Sequence, residues 1–162
     1  MNLNRLFFIC FLGFSAHLYA NEDMATPYIS VLLSDKDSNY ASEVGIRVID
    51  GRFEEQSVAY AEYQDDFSKD RGVSFSRFLT TGIAPLKAYG GAGVFIGRHK
   101  ECNRQDTSSC DTDWTVGIAP EAGLEVSILD ARISVFSRYL RLSNGETNER
   151  ALVGASIIYN FL

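Results

Sequence analysis

Two cysteines and one histidine lie close together in a polar part of the chain, and these residue types could bind a metal. Beyond residue 20, Cys102 and Cys110 are the only cysteines and His99 is the only histidine. In an exported protein, which meets oxidising conditions, two cysteines form a disulfide by default. A metal site is the alternative, but it would need two further ligands, and only His99 is near. We therefore predict a Cys102–Cys110 disulfide, with no metal site and no cofactor.

Two other features could be catalytic, and neither has the neighbours that its chemistry requires. His99 has no acid or nucleophile positioned beside it by sequence, so we interpret it as a surface histidine. The run of Gly90, Gly91 and Gly93 could cradle a phosphate, but the helix and lysine that follow in such loops are missing. Close packing within a strand explains these glycines better. The sequence therefore predicts no catalytic residue.

Seven charged residues alternate with apolar ones, so that the charges share one face of their segments. Glutamates and basic residues nearly balance in this set, which comprises Glu43, Arg47, Lys87, Glu121, Glu125, Arg132 and Arg138. Charges that leave bulk water need partners. We predict a network of ion pairs in the interior; a solvated outer face, which needs no balance, is the alternative.

The clearest alternation runs from Trp114 to Ile128. Its even positions are apolar and its odd positions are small or charged, which predicts a β-strand. Such a strand is much longer than the usual length of about 5–6 residues. No long stretch of the chain shows helical periodicity.

In seven further segments apolar and polar residues alternate, some more clearly than others. They are residues 28–34, 41–49, 56–63, 73–81, 86–98, 132–140 and the C-terminal segment from residue 151. The register of 56–63 is ambiguous. So is that of 73–81, because Arg77 shares a face with Phe75 and Leu79. A β-bulge in 73–81 would resolve that conflict.

The connections between these strands alternate in kind. Polar loops follow the first, third, fifth and seventh strands, and shorter links follow the others. Long loops on one rim and tight turns on the other are typical of outer-membrane barrels. The chain also ends inside its last strand, which is explained if that strand pairs with the first. We predict an all-β fold over residues 21–162, an eight-stranded antiparallel up-and-down transmembrane β-barrel with both termini in the periplasm.

Residues 1–20 are expected to be a secretory signal peptide. They combine Arg5, an apolar run over 6–14 and a small residue at Ala20, after which we expect cleavage. The run is too short for a transmembrane helix, which needs about 20 apolar residues. Cys10 suggests a lipoprotein as the alternative, but it lies early, inside the apolar run.

The charge balance excludes one class of partner. The chain has 15 Lys and Arg against 21 Asp and Glu, a formal net charge of −6. An acidic chain has no electrostatic reason to bind nucleic acid. We therefore expect no nucleic-acid partner.

Alternating strands also build soluble barrels of the lipocalin kind, in which the apolar face points inward. Here the other face is rich in Gly, Ala and Ser, which suit a crowded lumen. Aromatic residues near strand ends favour membrane interfaces; these are Tyr28, Tyr63, Trp114, Tyr139, Tyr159 and Phe161. We predict that the lipid-facing residues include Val116, Ile118, Leu124, Val126, Ile133, Val135, Val153, Ile157 and Phe161.

With these patterns, the mature chain resembles the small eight-stranded outer-membrane proteins of the OmpX and OmpA-barrel types. The most similar stretches are "APEAGLEVSIL", "ISVFSRYLRL" and "VGASIIYNF", and "RYLRLSNG" is also similar to the YfaZ-like family. The resemblance implies contact with outer-membrane lipid and lipopolysaccharide. It also implies insertion by the barrel-assembly machinery, which reads a terminal aromatic residue. Here Phe161 is penultimate and Leu162 is last.

One stretch resembles the lipid A deacylases, which carry a His-x-Ser-Asn motif near the seventh strand. The matching positions here are Arg141, Leu142, Ser143 and Asn144, so arginine replaces the histidine. A serine nucleophile needs a base within hydrogen-bond reach, and arginine stays protonated. We therefore expect that the protein is not an enzyme.

These inferences favour a structural or surface-interaction role, such as envelope integrity, adhesion or binding of an extracellular partner through the loops. A narrow pore and a lipid-A-modifying enzyme are the alternatives. Acidic pairs in the loops, such as Asp35 and Asp37, could also share divalent cations with lipopolysaccharide phosphates.

Overall fold

The fold is a closed barrel of eight antiparallel strands in chain order. The structure is a computed structural model that describes residues 25–34, 40–50, 53–65, 68–83, 85–102, 110–143 and 149–159. The expected signal peptide, Asn144 and Phe161 lie outside these residues. Within the described ranges, no helix has the length and hydropathy that a membrane-spanning helix requires.

All eight predicted strands are present, and most are longer than expected. Their bounds are β1 (Ala25–Ser34), β2 (Tyr40–Asp50), β3 (Glu54–Gln64), β4 (Ser68–Ile83), β5 (Leu86–Cys102), β6 (Cys110–Ile128), β7 (Ala131–Leu142) and β8 (Glu149–Tyr159). The links after β2, β4 and β6 lie at one end of the barrel, called here the turn end. The links after β1, β3, β5 and β7 lie at the opposite end, the loop end.

The last strand closes the barrel against the first. Ile29 lies opposite Ile157 and Val31 lies opposite Ala155 in an antiparallel β1–β8 pairing. Neither terminal strand therefore leaves a row of unpaired backbone groups. This closure explains why the C-terminal segment has the alternating polarity of a strand.

No β-bulge resolves the conflict in 73–81. The β3–β4 and β4–β5 pairings keep one register along the whole of β4. Arg77 instead faces outward beside Phe75 and Leu79 and forms an ion pair with Glu54, also outward, at the turn end. A long side chain near a strand end can reach the interface, so its charge need not turn inward.

The two faces of the strands separate by polarity. Ile118 and Leu124 are each 56% exposed, whereas Glu121 and Glu125 are 5% and 2% exposed. The structure places Val116, Ile118, Leu124, Val126, Ile133, Val135, Val153 and Ile157 on the outside, where all are exposed. Side chains that face inward fill the lumen, as expected for a barrel of only eight strands.

Two aromatic residues expected at the membrane interface lie in the lumen instead. Tyr28 and Tyr63 are buried, whereas Trp114, Tyr139 and Tyr159 face outward. The Tyr63 hydroxyl donates a hydrogen bond of 3.0 Å to Glu43 Oε1. A tyrosine has an apolar ring and a polar tip, so it suits a lumen with buried carboxylates as well as an interface.

The turn between β6 and β7 holds a leucine in an unfavourable backbone conformation. Leu129 has φ of 52°, in the left-handed region that costs a non-glycine residue about 1–2 kcal/mol. Its side chain is 95% exposed, so no packing offsets this cost. We expect Leu129→Asn to raise the free energy of unfolding by about 1 kcal/mol, because asparagine tolerates this conformation. Urea titration of the refolded barrel measures this change.

Asp130→Asn is the matched control, since it alters the neighbouring turn residue and leaves Leu129 in place. We expect it to change the free energy of unfolding by less than about 0.5 kcal/mol. If Leu129→Asn gave no more stability than this control, the turn would carry no strain.

Candidate functional site

The inward side chains form polar groups at different depths. Near the turn end, β2, β3, β6 and β7 each contribute one charge to a set called here the inner quartet, Arg47, Glu55, Glu125 and Arg132. Arg132 Nη1 donates to Glu55 Oε1 at 2.7 Å and to Glu125 Oε1 at 3.0 Å. Arg47 Nη1 lies 3.5 Å from Glu55 Oε2 and 3.7 Å from Glu125 Oε2. Two cations and two anions therefore balance inside the barrel.

A second group, the middle cluster, comprises Glu43, Tyr63, Tyr89, Glu121 and Arg138. Arg138 Nε donates to Glu121 Oε2 at 2.7 Å, and its Nη2 donates to Glu43 Oε2 at 3.0 Å. The hydroxyls of Tyr63 and Tyr89 donate to Glu43 and Glu121, each at 3.0 Å. Two carboxylates thus share one guanidinium, and hydroxyl donors supply further hydrogen bonds.

Six of the seven charged residues singled out in the sequence lie in these two groups, namely Glu43, Arg47, Glu121, Glu125, Arg132 and Arg138. Lys87 faces the same side but is half-buried and forms no ion pair within the described residues. Glu55, in contrast, belongs to the inner quartet and was missed. It directly precedes the segment 56–63, whose ambiguous register hid the face to which its neighbours belong.

Apolar side chains fill the lumen beyond the middle cluster. Leu140 and Leu152 lie on β7 and β8 between the positions of Arg138 and Arg150, and both are almost completely buried. Tyr63 packs edge-on against Phe95, with ring centroids 5.3 Å apart. This apolar layer separates the middle cluster from the polar residues at the loop end.

A third polar group, the mouth cluster, lines the lumen at the loop end and comprises Asp65, Ser68, Asp70, His99 and Arg150. Asp70 Oδ1 lies 2.7 Å from His99 Nδ1, and its Oδ2 lies 3.0 Å from Arg150 Nη2. Arg150 Nη2 also donates to Ser68 Oγ at 3.2 Å and to Asp65 Oδ2 at 3.3 Å. Sequence reasoning missed this group because it assigned Ser68, Asp70 and His99 to loops.

The environment of His99 favours its protonated form. Its Nε2 lies 3.3 Å from Glu101 Oε2, so each ring nitrogen faces a carboxylate. Burial opposes the charged imidazolium, but the hydrogen bond to Asp70 and the charges of Asp70 and Glu101 raise the pKa of His99 above its ordinary value. The interpretation of His99 as a surface histidine was therefore wrong, because its side chain is buried and two carboxylates face it. An imidazolium that donates on both sides is, however, not a general base.

The raised pKa of His99 gives the stability a pH dependence of defined sign. The protonated ring stabilises the folded state fully below its ordinary pKa of about 6.5, and this contribution is lost as pH rises through the folded-state pKa. We expect the wild type to exceed His99→Gln in free energy of unfolding by on the order of 1 kcal/mol at pH 5.5 and by less at pH 9. Urea titrations of both proteins at the two pH values give this difference.

Glu101→Gln is the control for this prediction, because it removes one of the two carboxylates and keeps the histidine. With one carboxylate fewer, the pKa of His99 should be raised less. We therefore expect the contribution of protonated His99 to the free energy of unfolding to be lost at a lower pH in that variant. A constant difference between wild type and His99→Gln across the pH range would contradict a charged His99.

The cysteines and the serine motif occupy structural positions. Cys102 and Cys110 are cross-strand partners at the loop end and form the predicted disulfide. Ser143 accepts a hydrogen bond from the Val116 amide at 3.1 Å and donates its own amide to Val116 O at 2.8 Å. Arg141 faces outward, 3.6 Å from Glu149. In the part of the chain that is described, no three His, Cys, Asp or Glu residues are arranged to hold a metal ion.

Comparisons with known proteins identify the fold. No protein-family model and no curated protein matches the chain. Neisserial surface protein A superposes with a TM-score of 0.64 at 15% identity, over 86% of this chain and 96% of that chain. The N-terminal β-barrel domain of Pseudomonas aeruginosa OprF gives 0.62 at 14% identity, over 86% and 100%. Ail, the attachment invasion locus protein of Yersinia pestis, gives 0.54 at 14% identity, over 86% and 97%.

These similarities confirm the predicted resemblance at the level of the fold, that of the small eight-stranded outer-membrane barrels. The similarity to the YfaZ-like family stays a prediction.

Proposed function

We propose that the protein is an integral outer-membrane barrel with a structural or surface-interaction role. The observation that carries this proposal is the polarity of β6, with Ile118 and Leu124 outside and Glu121 and Glu125 buried. A soluble barrel would reverse these faces. In water, a belt of exposed apolar side chains around the whole barrel would drive association, whereas in a bilayer the same belt is solvated by acyl chains.

The filled lumen supports a structural role. Paired charges in the inner quartet and the middle cluster occupy the interior, and the apolar layer with Leu140 and Leu152 lies beyond them. Eight strands leave an interior just wide enough for side chains. A stable scaffold of this kind displays four loops at one rim, and the disulfide holds the base of the loop that joins β5 and β6.

The mature protein is proposed to begin after Ala20 and to reach the outer membrane with the help of the barrel-assembly machinery. Membrane fractionation together with electrophoresis of heated and unheated samples tests this location. We expect the protein in the outer-membrane fraction, with faster migration before heating because the closed barrel stays folded. N-terminal sequencing of the mature chain should begin at Asn21. Recovery in the soluble periplasmic fraction would overturn the proposal.

The two possible roles can be separated genetically. In a deletion strain, we expect increased entry of a large hydrophobic dye if the barrel supports envelope integrity. A complementing variant with residues 103–109 replaced by a short Gly-Ser turn keeps the barrel and loses the longest loop. If this variant restores dye exclusion, the barrel itself supports the envelope. If it restores dye exclusion but not the binding to other cells that the wild type gives, that loop mediates recognition. Unchanged dye entry and unchanged cell binding in the deletion strain would exclude both roles.

The protein is also proposed to lack enzymatic activity. The support comes from Ser143, whose hydroxyl is engaged by the Val116 amide, and from His99, whose ring nitrogens both face carboxylates. Mass spectrometry of lipid A from the wild-type and deletion strains tests this directly. A lipid A species that disappears with the gene would show that the protein modifies lipid.

A further inference from the structure

Four basic residues lie together on the outer surface at the loop end of β4 and β5. This cationic patch consists of Lys69, Arg71, Arg98 and Lys100, which alternate with the inward residues Asp70 and His99. The strand register places Lys69 directly opposite Lys100 and Arg71 directly opposite Arg98. Like charges in directly opposed positions destabilise a sheet. Two such pairs side by side therefore need an anion from outside the strand pair.

The described residues provide only part of that compensation. Glu62 on β3 contacts Lys69 and accepts a hydrogen bond of 2.8 Å from Arg71 Nε. Arg98 lies over the ring of Trp114, with its guanidinium carbon 5.3 Å from the ring centroid. Among the ion pairs of the described residues, Glu62 is the only carboxylate that reaches the patch. A chain with a net charge of −6 thus concentrates an excess of positive charge at one site.

The position of the patch along the barrel places it at the membrane surface. From Leu86 to Ile96 the outward face of β5 carries no charged residue, and Arg98 is the next outward residue toward the loop end. Ten steps of about 3.3 Å each, in a strand tilted by about 40°, span roughly 25 Å along the membrane normal. This matches the apolar band of about 25 Å on barrels of this type. Arg98, and Arg71 directly opposite it, therefore lie just beyond the band, at the level of the lipid headgroups.

We propose that the cationic patch binds the phosphate groups of a phosphorylated glycolipid in the outer leaflet, lipopolysaccharide. The inference rests on the proposed outer-membrane location and names the site of contact. Arg71 and Arg98 present planar guanidinium groups that bind phosphate oxygens in bidentate fashion. Lys69 and Lys100 add positive charge above them. The ring of Trp114 anchors this side of the barrel at the interface.

The test compares two forms of one lipid. The full-length mature barrel is refolded in phosphatidylcholine nanodiscs and titrated with bisphosphorylated lipid A or with chemically dephosphorylated lipid A. Retained lipid is quantified by mass spectrometry. We expect tighter binding of the phosphorylated form by about tenfold or more, and a decrease of this preference with added salt. Trp114 is the only tryptophan of the chain, so its fluorescence provides a local second signal.

Removing the positive charges should remove the preference. We expect the variant K69Q/R71Q/R98Q/K100Q to bind both lipids with the same affinity. In K69Q/K100Q the preference for the phosphorylated lipid should be about threefold smaller than in the wild type. The control R77Q/R141Q removes two outward arginines that pair with Glu54 and Glu149 elsewhere on the barrel. That control should keep the preference of the wild type.

Several results would overturn the proposal. They are equal binding of both lipids by the wild type, an unchanged preference in both patch variants, or an equal loss in R77Q/R141Q. Displacement of lipid A by millimolar inorganic phosphate would identify free phosphate as the ligand instead. Heat-dependent migration of each variant reports whether its barrel is closed. A wild-type chain that failed to insert into nanodiscs would argue against the proposed location rather than against the patch.

Discussion

Replacing Arg138 with leucine is expected to lower the free energy of unfolding by about 3–5 kcal/mol, the usual cost of removing one partner from a buried ion pair. Arg138 donates to both Glu43 and Glu121, and all three side chains are almost completely buried. Without the guanidinium, two carboxylates remain in the lumen with only neutral hydroxyl donors. Urea titration of the barrel refolded into lipid vesicles measures the loss.

Two variants give this prediction its specificity. The triple variant E43Q/E121Q/R138L removes the uncompensated charges as well, and we expect it to recover most of the lost stability. Arg141→Leu removes a second arginine from β7, but that side chain is exposed and 3.6 Å from Glu149. We expect it to cost less than about 1 kcal/mol. Equal losses for Arg138→Leu and Arg141→Leu would show that the lumen network does not stabilise the barrel.

The second large effect concerns two adjacent glycines on β5 that face opposite sides. A methyl group on Gly91 would overlap the carbonyl oxygen of Arg77 and lie 2.8 Å from Phe78 Cα. Both are backbone atoms of β4, so no side-chain rotation can relieve the overlap. We expect Gly91→Ala to lower the free energy of unfolding by about 3 kcal/mol or to prevent folding, because such overpacking forces the backbone to shift.

Gly90→Ala is the matched control for this prediction. Gly90 faces outward, and the nearest atom to an added methyl group would be Glu121 O at 3.9 Å. We expect a change within about 0.5 kcal/mol. Refolding yield and urea titration of the two variants in parallel provide the measurement. Similar behaviour of Gly90→Ala and Gly91→Ala would mean that β4 and β5 approach each other less closely than the structure indicates.

The sequence was most informative where one face of a strand is apolar and the other is not. In β6 the contrast between Ile118 and Glu121 fixes both the strand and the side that faces outward. Because some alternation is present in all eight segments, although two of them have an ambiguous register, the strand number and the closed meander could be predicted. Cys102 and Cys110 could be paired because no other cysteines follow residue 20.

The sequence was least informative where both faces of a strand are polar. At the loop end of β4, Lys69 and Arg71 face outward and Asp70 faces the lumen, so polarity does not alternate and the stretch looks like a loop. The mouth cluster and the cationic patch both lie in such extensions. Hydrogen bonds to the neighbouring strand, rather than a contrast of polarity, define the strand here.

For some residues the face of the strand could not be predicted from residue type alone. Arg77 shares a face with apolar residues, and only its place near the strand end allows it to face outward. Tyr28 and Tyr63 fit an interface and a polar lumen equally well by residue type. The sequence of 56–63 leaves the face of Tyr63 open, whereas the alternation of 28–34 already puts Tyr28 on the face opposite Ile29 and Val31, which are exposed.

The buried ion pairs also restrict how the strands can align during closure. A slip of two residues between β6 and β7 would keep every side chain on its present face of the sheet, so the alternation of faces cannot detect such an error. It would, however, separate Glu121 from Arg138, which now lie opposite each other. Glu43 and Arg138 are 95 positions apart in sequence, and they come together only when the sheet curls round. The charges in the lumen thus penalise misaligned barrels that the hydrophobic pattern alone would accept.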